Sequence, residues 1–218
     1  MDLGTMLPNS PLAHLGVGLV LGAVHACDAD HVLTVTSFSR QGEAPRAAWG
    51  WGLRWSLAHG AAVIAAGMLL AALGLSFPQL LGVLAEALVA LILCALGTWL
   101  LRAALAPGGR TRPAPAAGRR GIYLVGALHG LAGAAPVIAL IPLARRIDPF
   151  AAGLYLGCFS LGVVFAMLLI ATLLGHANSR ALRHGARAER LLNLCFGLGA
   201  LVVGAQILLE VAHDAGAA

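Results

Sequence analysis

Apolar residues fill this chain in six long blocks, at roughly residues 11–38, 47–74, 77–104, 121–144, 149–176 and 188–212, and polar residues gather in the gaps between them. Each block reaches the roughly 20 residues that a helix needs to cross a hydrocarbon layer. The pattern predicts an all-α, polytopic membrane protein with six transmembrane helices. Composition agrees: 60% of the 218 residues are hydrophobic, only 11% are charged, and the mean hydropathy is +0.88. A soluble globule would carry about 25% charged residues. The first ten residues contain no basic side chain and only Asp2 as a charge, so the first block is expected to be a retained helix and not a cleaved signal.

Charge adds orientation. All 14 basic residues are arginine, and with six spans eleven of them (Arg40, Arg46, Arg102, Arg110, Arg112, Arg119, Arg120, Arg180, Arg183, Arg187 and Arg190) fall on one side, against Arg145 and Arg146 on the other. The excess of arginine marks the cytoplasmic face, which predicts that both termini lie outside the cytoplasm, with the protein in the cell (inner) membrane. The net charge of +5 therefore describes topology and not affinity for nucleic acid. The stretch APGGRTRPAPAAG cannot continue a helix and reads as a cytoplasmic linker over 106–120, between halves 1–105 and 121–218. Cys27, Cys94, Cys158 and Cys195 all fall inside predicted spans, which argues against a disulfide framework.

The candidate chemistry lies in Gly22 to Val32, GAVHACDADHV, where two histidines and two aspartates interrupt apolar sequence. An ionisable group at bilayer depth costs roughly 2.5–3.5 kcal/mol even on the lenient insertion scale, so four within seven residues call for a function. On an unbroken helix, His25, Asp28 and His31 share an arc of roughly 120°, Asp30 points elsewhere, and Cys27 lies about 200° from His25. Imidazole nitrogens with carboxylate oxygens suit Ni, Co or Zn and not the all-oxygen shells of Mg or Ca. A helix end dipping into headgroups is the bland alternative. His59, about a dozen residues into the second span, is a candidate ligand from another helix. Glu86 in the third is a candidate proton carrier or partner of a ligating histidine, or else an interfacial carboxylate.

His25-Ala26-Cys27-Asp28-Ala29-Asp30-His31 resembles the signature of the nickel/cobalt transporter family, a histidine, four residues, then Asp-His. Ser56-Leu57-Ala58-His59-Gly60 is similar to that family's second motif, with alanine in place of glycine. Gly126-Ala127-Leu128-His129-Gly130-Leu131-Ala132-Gly133 resembles the shorter six-helix branch, which includes transporters associated with urease maturation. The resemblance implies Ni2+ or Co2+ as a transported ion and no resident cofactor.

The halves also look related. Leu21 to His25 align with Val125 to His129, superposing His25 on His129, and the third helices align through Gly97 and Gly204. Three helices per half is odd, so the second half enters the membrane inverted, an arrangement in which secondary transporters place midplane sites. His129 is then a candidate for the ion path, near a carbonyl freed by Pro136. No GxxxxGK[ST] occurs, which excludes ATP hydrolysis through that motif. The expected function is non-enzymatic: alternating-access transport of a divalent transition metal bound by His25, Asp28 and His31, with Asp30 orienting or completing the shell and His59 closing it. A membrane metalloenzyme and an anion or proton pathway remain alternatives, and a cytoplasmic metallochaperone is an open possibility as partner.

Overall fold

The computed structural model describes residues 11–40, 45–106, 120–133 and 149–216. In these, the chain is entirely helical: α1 (Pro11–His25), α2 (Ala29–Ser39), α3 (Pro45–Leu73), α4 (Gln79–Leu105), α5 (Gly121–Ala132), α6 (Pro149–Arg183) and α7 (Ala186–Gly216). Helix is the form these sequences must take in hydrocarbon, because it satisfies every backbone polar group within one segment. α3, α4, α6 and α7 are long and apolar enough to cross a bilayer, the mark of a polytopic membrane protein, whereas the apolar parts of α1 and α5 are shorter. Residues 107–119 of the expected linker, the far part of the 121–144 block with Pro136 and Pro142, and Arg145 and Arg146 lie outside the described residues.

The first predicted span is not one helix. α1 stops at His25 and α2 starts at Ala29, with only three-residue turns between them, Cys27 N–H to the Val24 carbonyl and Asp28 N–H to the His25 carbonyl. No proline or glycine causes the break. Asp28 takes the N-cap position with an extended ψ of 142°, and Asp30 stands in the first turn of α2, where a carboxylate complements the helix dipole. The expected common face for His25, Asp28 and His31, drawn on continuous helix, therefore does not exist as such.

Glycines set how the helices cross. A Cβ at Gly22 of α1 would run into the Phe159 carbonyl of α6, and one at Gly162 of α6 into the Leu19 carbonyl of α1. Likewise a Cβ at Gly126 of α5 would meet the Trp55 carbonyl of α3, and one at Gly130 would come 2.5 Å from the His59 carbonyl. In lipid no hydrophobic drive brings helices together, so small residues that let backbones touch provide the close packing. Gly18 against the Tyr155 carbonyl with Gly22 against that of Phe159 makes α1 parallel to α6, and Gly126 with Gly130 against Trp55 and His59 makes α5 parallel to α3. By the same reasoning α3 and α6 are antiparallel, with Gly52 near Met167 and Gly153 near Met68, as are α4 and α7, with Gly97 against Gly197 and Gly204 against Ala90. Chain reversals after α3 and α6 use Gly74 (φ 64°) and Gly185 (φ 87°), conformations that only glycine adopts without strain. The resulting directions place Arg40, Arg102, Arg120, Arg180, Arg183, Arg187 and Arg190 at one end of the bundle. At its centre, Val35, Phe38, Trp55, Leu96, Phe159, Val163 and Met167 form one buried cluster.

Gly22→Ala should therefore cost about 1–3 kcal/mol of stability through overpacking, read as a lower melting temperature in detergent. Gly157→Ala, two residues from Phe159 on the same helix but with nothing within 4 Å of its added carbon, should leave that temperature unchanged.

Candidate metal centre

The break between α1 and α2 fixes the motif side chains. His25 closes α1, and its Nδ1 lies 2.9 Å from Asp28 Oδ2. Asp28 makes no side-chain cap to its own helix, because that carboxylate is turned to the imidazole. His31, one turn into α2, directs Nδ1 to Asp30 Oδ1 at 2.7 Å. Asp30 thus does not point away from the motif histidines. It pairs with one of them, just as Asp28 pairs with the other. A carboxylate accepting the Nδ1–H of a histidine fixes its tautomer and makes the opposite nitrogen, Nε2, the more basic lone pair, a common arrangement behind metal-binding imidazoles.

Both Nε2 atoms face the interior. That of His25 is buried without a hydrogen-bond partner, and that of His31 lies 3.4 Å from His59 Nε2 on α3. His59 is 0% exposed, and its Nδ1 is also buried without a partner. Ring centroids are 4.6 Å apart for His25 and His31, 5.5 Å for His25 and His59, and 5.2 Å for His31 and His59. One nitrogen from each of these three can lie within 4.8 Å of the other two, as can Asp28, Asp30 and His31 through their own donor atoms. Two nitrogens bound at about 2.0–2.1 Å to one tetrahedral ion sit roughly 3.3 Å apart, so the His31–His59 spacing fits shared coordination of a four-coordinate ion. Without a cation, one of these two nitrogens must carry a proton to avoid opposing lone pairs, and binding then displaces that proton.

The walls are aromatic. Trp55 of α3, fully buried, stacks on His59 at 5.0 Å between ring centroids and meets His31 edge-on at 4.9 Å. Phe159 of α6 lies 5.4 Å from His25. No local pattern singles out Trp55 or Phe159, because their place follows from the register of crossing helices. Gly133 was legible only as part of a glycine-rich segment. Unlike Gly126 and Gly130 it faces no backbone of another helix: a Cβ there would come 3.0 Å from His25 Cε1 and 3.1 Å from its unpartnered Nε2, so glycine keeps that nitrogen uncovered.

His129 is 0% exposed and adjoins the cluster, 5.4 Å from His31 and 5.4 Å from Trp55 between ring centroids. Its Nδ1–H donates to the Val125 carbonyl at 2.8 Å, which leaves Nε2 of the neutral ring to accept from the Thr34 hydroxyl at 3.2 Å. It is a neighbour of the three-histidine group and not a member of it. Glu86 lines a cavity of about 490 Å3 together with His25, Asp28, Asp30, His31 and Glu210. Glu86 stands two turns from the start of α4 and Glu210 six residues from the end of α7, so the cavity leads from the arginine-poor end of the bundle to the motif. Cys27 is exposed, its thiol on the Ala23 carbonyl at 3.5 Å, and does not line that cavity.

The apolar helices and this His/Asp group together fit a metal site within a membrane protein. No family model matches the chain, and no curated protein or solved structure matches it.

His31→Ala should abolish high-affinity binding of Ni2+, Co2+ or Zn2+ by the purified protein in equilibrium titration. Asp30→Asn keeps shape but weakens the acceptor behind His31, and should lower affinity about 10–100-fold; wild-type affinity in that variant would remove Asp30 from the supporting role.

Proposed function

We propose that this chain carries a divalent transition-metal ion, nickel or cobalt by its resemblance to the nickel/cobalt transporters, across the membrane by alternating access. The observation that carries the proposal is the convergence of His25 and His31, at the break between α1 and α2, with His59, half-way along α3, and with Asp28 and Asp30 behind two of the rings. Nitrogen donors favour borderline ions over Mg2+ and Ca2+, and the carboxylates offset a divalent charge in a low-dielectric setting. On this reading the three imidazoles take the ion directly and the aspartates act through the rings, with Asp28 and Asp30 also offering oxygen donors on the cavity side.

A 3+3 inverted repeat, with residues 1–105 and 121–218 as its halves, is part of the same proposal. Several symmetric features support it. Gly22 of α1 meets the carbonyl of Phe159, and its aligned position Gly126 of α5 meets the carbonyl of Trp55. One turn on, His25 packs on the Phe159 ring at 5.4 Å and His129 on the Trp55 ring at 5.4 Å. α3 with α6, and α4 with α7, are the self-matching antiparallel pairs that such a repeat would generate. Rocking of one half against the other would then present the site to each face in turn. With the arginine-rich end in the cytoplasm, the cavity opens outward and both termini lie outside.

Reconstitution into liposomes tests the proposal: metal uptake into vesicles, reported by an enclosed dye, should require His25, His31 and His59. Binding without flux would favour a metal-dependent enzyme, and absence of both would sink the metal reading. Protons compete for the same imidazole nitrogens. Affinity should therefore fall as the buffer is made more acidic, since each ligand must be deprotonated to bind.

His129 offers a separate test. As the counterpart of His25 without nearby aspartates, it is expected to line the path and not to hold the ion. His129→Ala should slow flux more than it weakens equilibrium binding, and unchanged flux would remove His129 from the path.

A further inference from the structure

Access to the histidine cluster is one-sided. Cys27, Asp28 and Ala29 are exposed, and the cavity of about 490 Å3 reaches the motif from the arginine-poor end. Toward the arginine-rich end, every residue from Thr34 to Arg40 is buried. That stretch is unusually polar for a buried one. Thr36, Ser37 and Ser39 bond to the carbonyls of Val32, Leu33 and Val35, one turn back on their own helix. Hydroxyls satisfied in this way need no partner from a neighbouring helix, so α2 can change neighbours without leaving them unpaired.

Two side chains tie α2 to its neighbours by hydrogen bonds: Thr34, whose hydroxyl meets His129 of α5, and the C-cap residue. Arg40, 5% exposed, donates from Nε to Asn193 Oδ1 at 2.5 Å and from Nη1 to Asn178 Oδ1 at 2.8 Å, and its Nη2 lies 3.4 Å from the Glu189 carbonyl. One guanidinium fork thus links α2 to α6 and to α7. A buried cation held this way is costly to leave in place once its acceptors are lost, and release would drive it to water at the helix end. Directly beside it, Thr36, Ser39, Arg40 and Asn178 help line a separate cavity of about 40 Å3, room for a water or two. The opposite end of α2 begins at the helix break, where only three-residue turns join it to α1. α2 is therefore an 11-residue rod with His31 beside a hinge and Arg40 at a latch.

We infer that Arg40 is a positioning residue that closes the metal centre toward the arginine-rich face by pinning α2 to Asn178, Glu189 and Asn193, and that its release lets α2 move about residues 26–28 and open a hydroxyl-lined passage from His31. The inference rests on the transport reading, and it specifies which element moves and which contact holds it.

The test uses the full chain with its four cysteines replaced by alanine and Ser37→Cys added, in reconstituted membranes without metal. An impermeant maleimide applied from the arginine-rich face should label position 37 slowly. Arg40→Gln should speed labelling about tenfold, the equilibrium worth of one charge-assisted hydrogen bond, while metal affinity stays within about twofold because Arg40 does not touch the ion. Arg40→Lys, which keeps the charge but loses the fork, should fall between the two. A second probe, Ser160→Cys on α6, should stay protected in every variant; equal acceleration at both probes means general loosening and overturns the inference. So does unchanged labelling at position 37. If Arg40→Gln is not recovered from membranes, Asn178→Ala, which removes a single acceptor, is judged by the same two probes. Labelling requires no metal, so failure of the wild type to bind or move metal would sink the transport reading separately.

Discussion

Two hydrogen bonds made by aspartates at the helix break organise the rest of the centre. Asp28 and Asp30 hold Nδ1 of His25 and His31, and in doing so leave both Nε2 atoms as lone pairs aimed inward. On a continuous helix, at about 100° per residue, Asp30 would project away from the arc shared by His25, Asp28 and His31, and the four could not all serve one point. Interrupting the helix for three residues lets His25 and His31 come within 4.6 Å of each other, ring to ring, while their carboxylates remain on the cavity side. The break and the centre are thus one feature. Remove the aspartates and the backbone loses its N-cap residue and the acid of its first turn, while the rings lose their fixed tautomers.

Close packing elsewhere serves to keep this arrangement narrow. Backbone contact at Gly22, Gly126 and Gly130 brings α1 against α6 and α5 against α3, so that Phe159 and Trp55 press on the imidazoles. Trp55 stacked on His59 restricts the orientation of a ring whose Nδ1 finds no partner of its own. The glycines do two jobs along a single helix: Gly126 and Gly130 admit α3, and Gly133 leaves His25 uncovered. A membrane protein without small residues at these crossings could carry the same motif and still hold its helices too far apart for His59 to reach His31.

Much of this was legible in the chain and some was not, for definite reasons. The helices, the arginine-rich end and the choice of His25, Asp28, Asp30, His31 and His59 as candidates followed from apolar runs and from the cost of placing charge among them. The break did not, because an apolar periodicity was extended through it. Yet its signal was present: Asp28-Ala29-Asp30 has the aspartate cap and acidic first turn of a helix start, without the glycine or proline usually sought. Arg40 was legible as a boundary charge, but its burial was not, since Asn178 and Asn193 are drawn from positions more than a hundred residues away. Trp55, Phe159 and Gly133 depend on which turns of different helices face each other, a matter of tertiary register that no local pattern encodes.

Charge balance explains why a centre of this kind would suit a divalent ion. Its neutral imidazoles add no net charge, and Asp28 and Asp30 contribute two negative ones, the second of them largely shielded from solvent. A dication between the rings brings the group to neutrality, which minimises the cost of holding charge at low dielectric. A monovalent ion leaves one charge uncompensated, and protonation of the two paired imidazoles reaches neutrality by another route. Protons and metal thus compete both for the same nitrogens and for the same electrostatic role. The asymmetry between the aspartates then matters: Asp28, 54% exposed, can be offset in part by water, whereas Asp30, 21% exposed, depends on His31. His31 lies at the start of the rod that Arg40 pins, so the most strongly paired carboxylate and the element that would move belong to one helix, and a change of charge at the centre bears directly on where α2 is most stable.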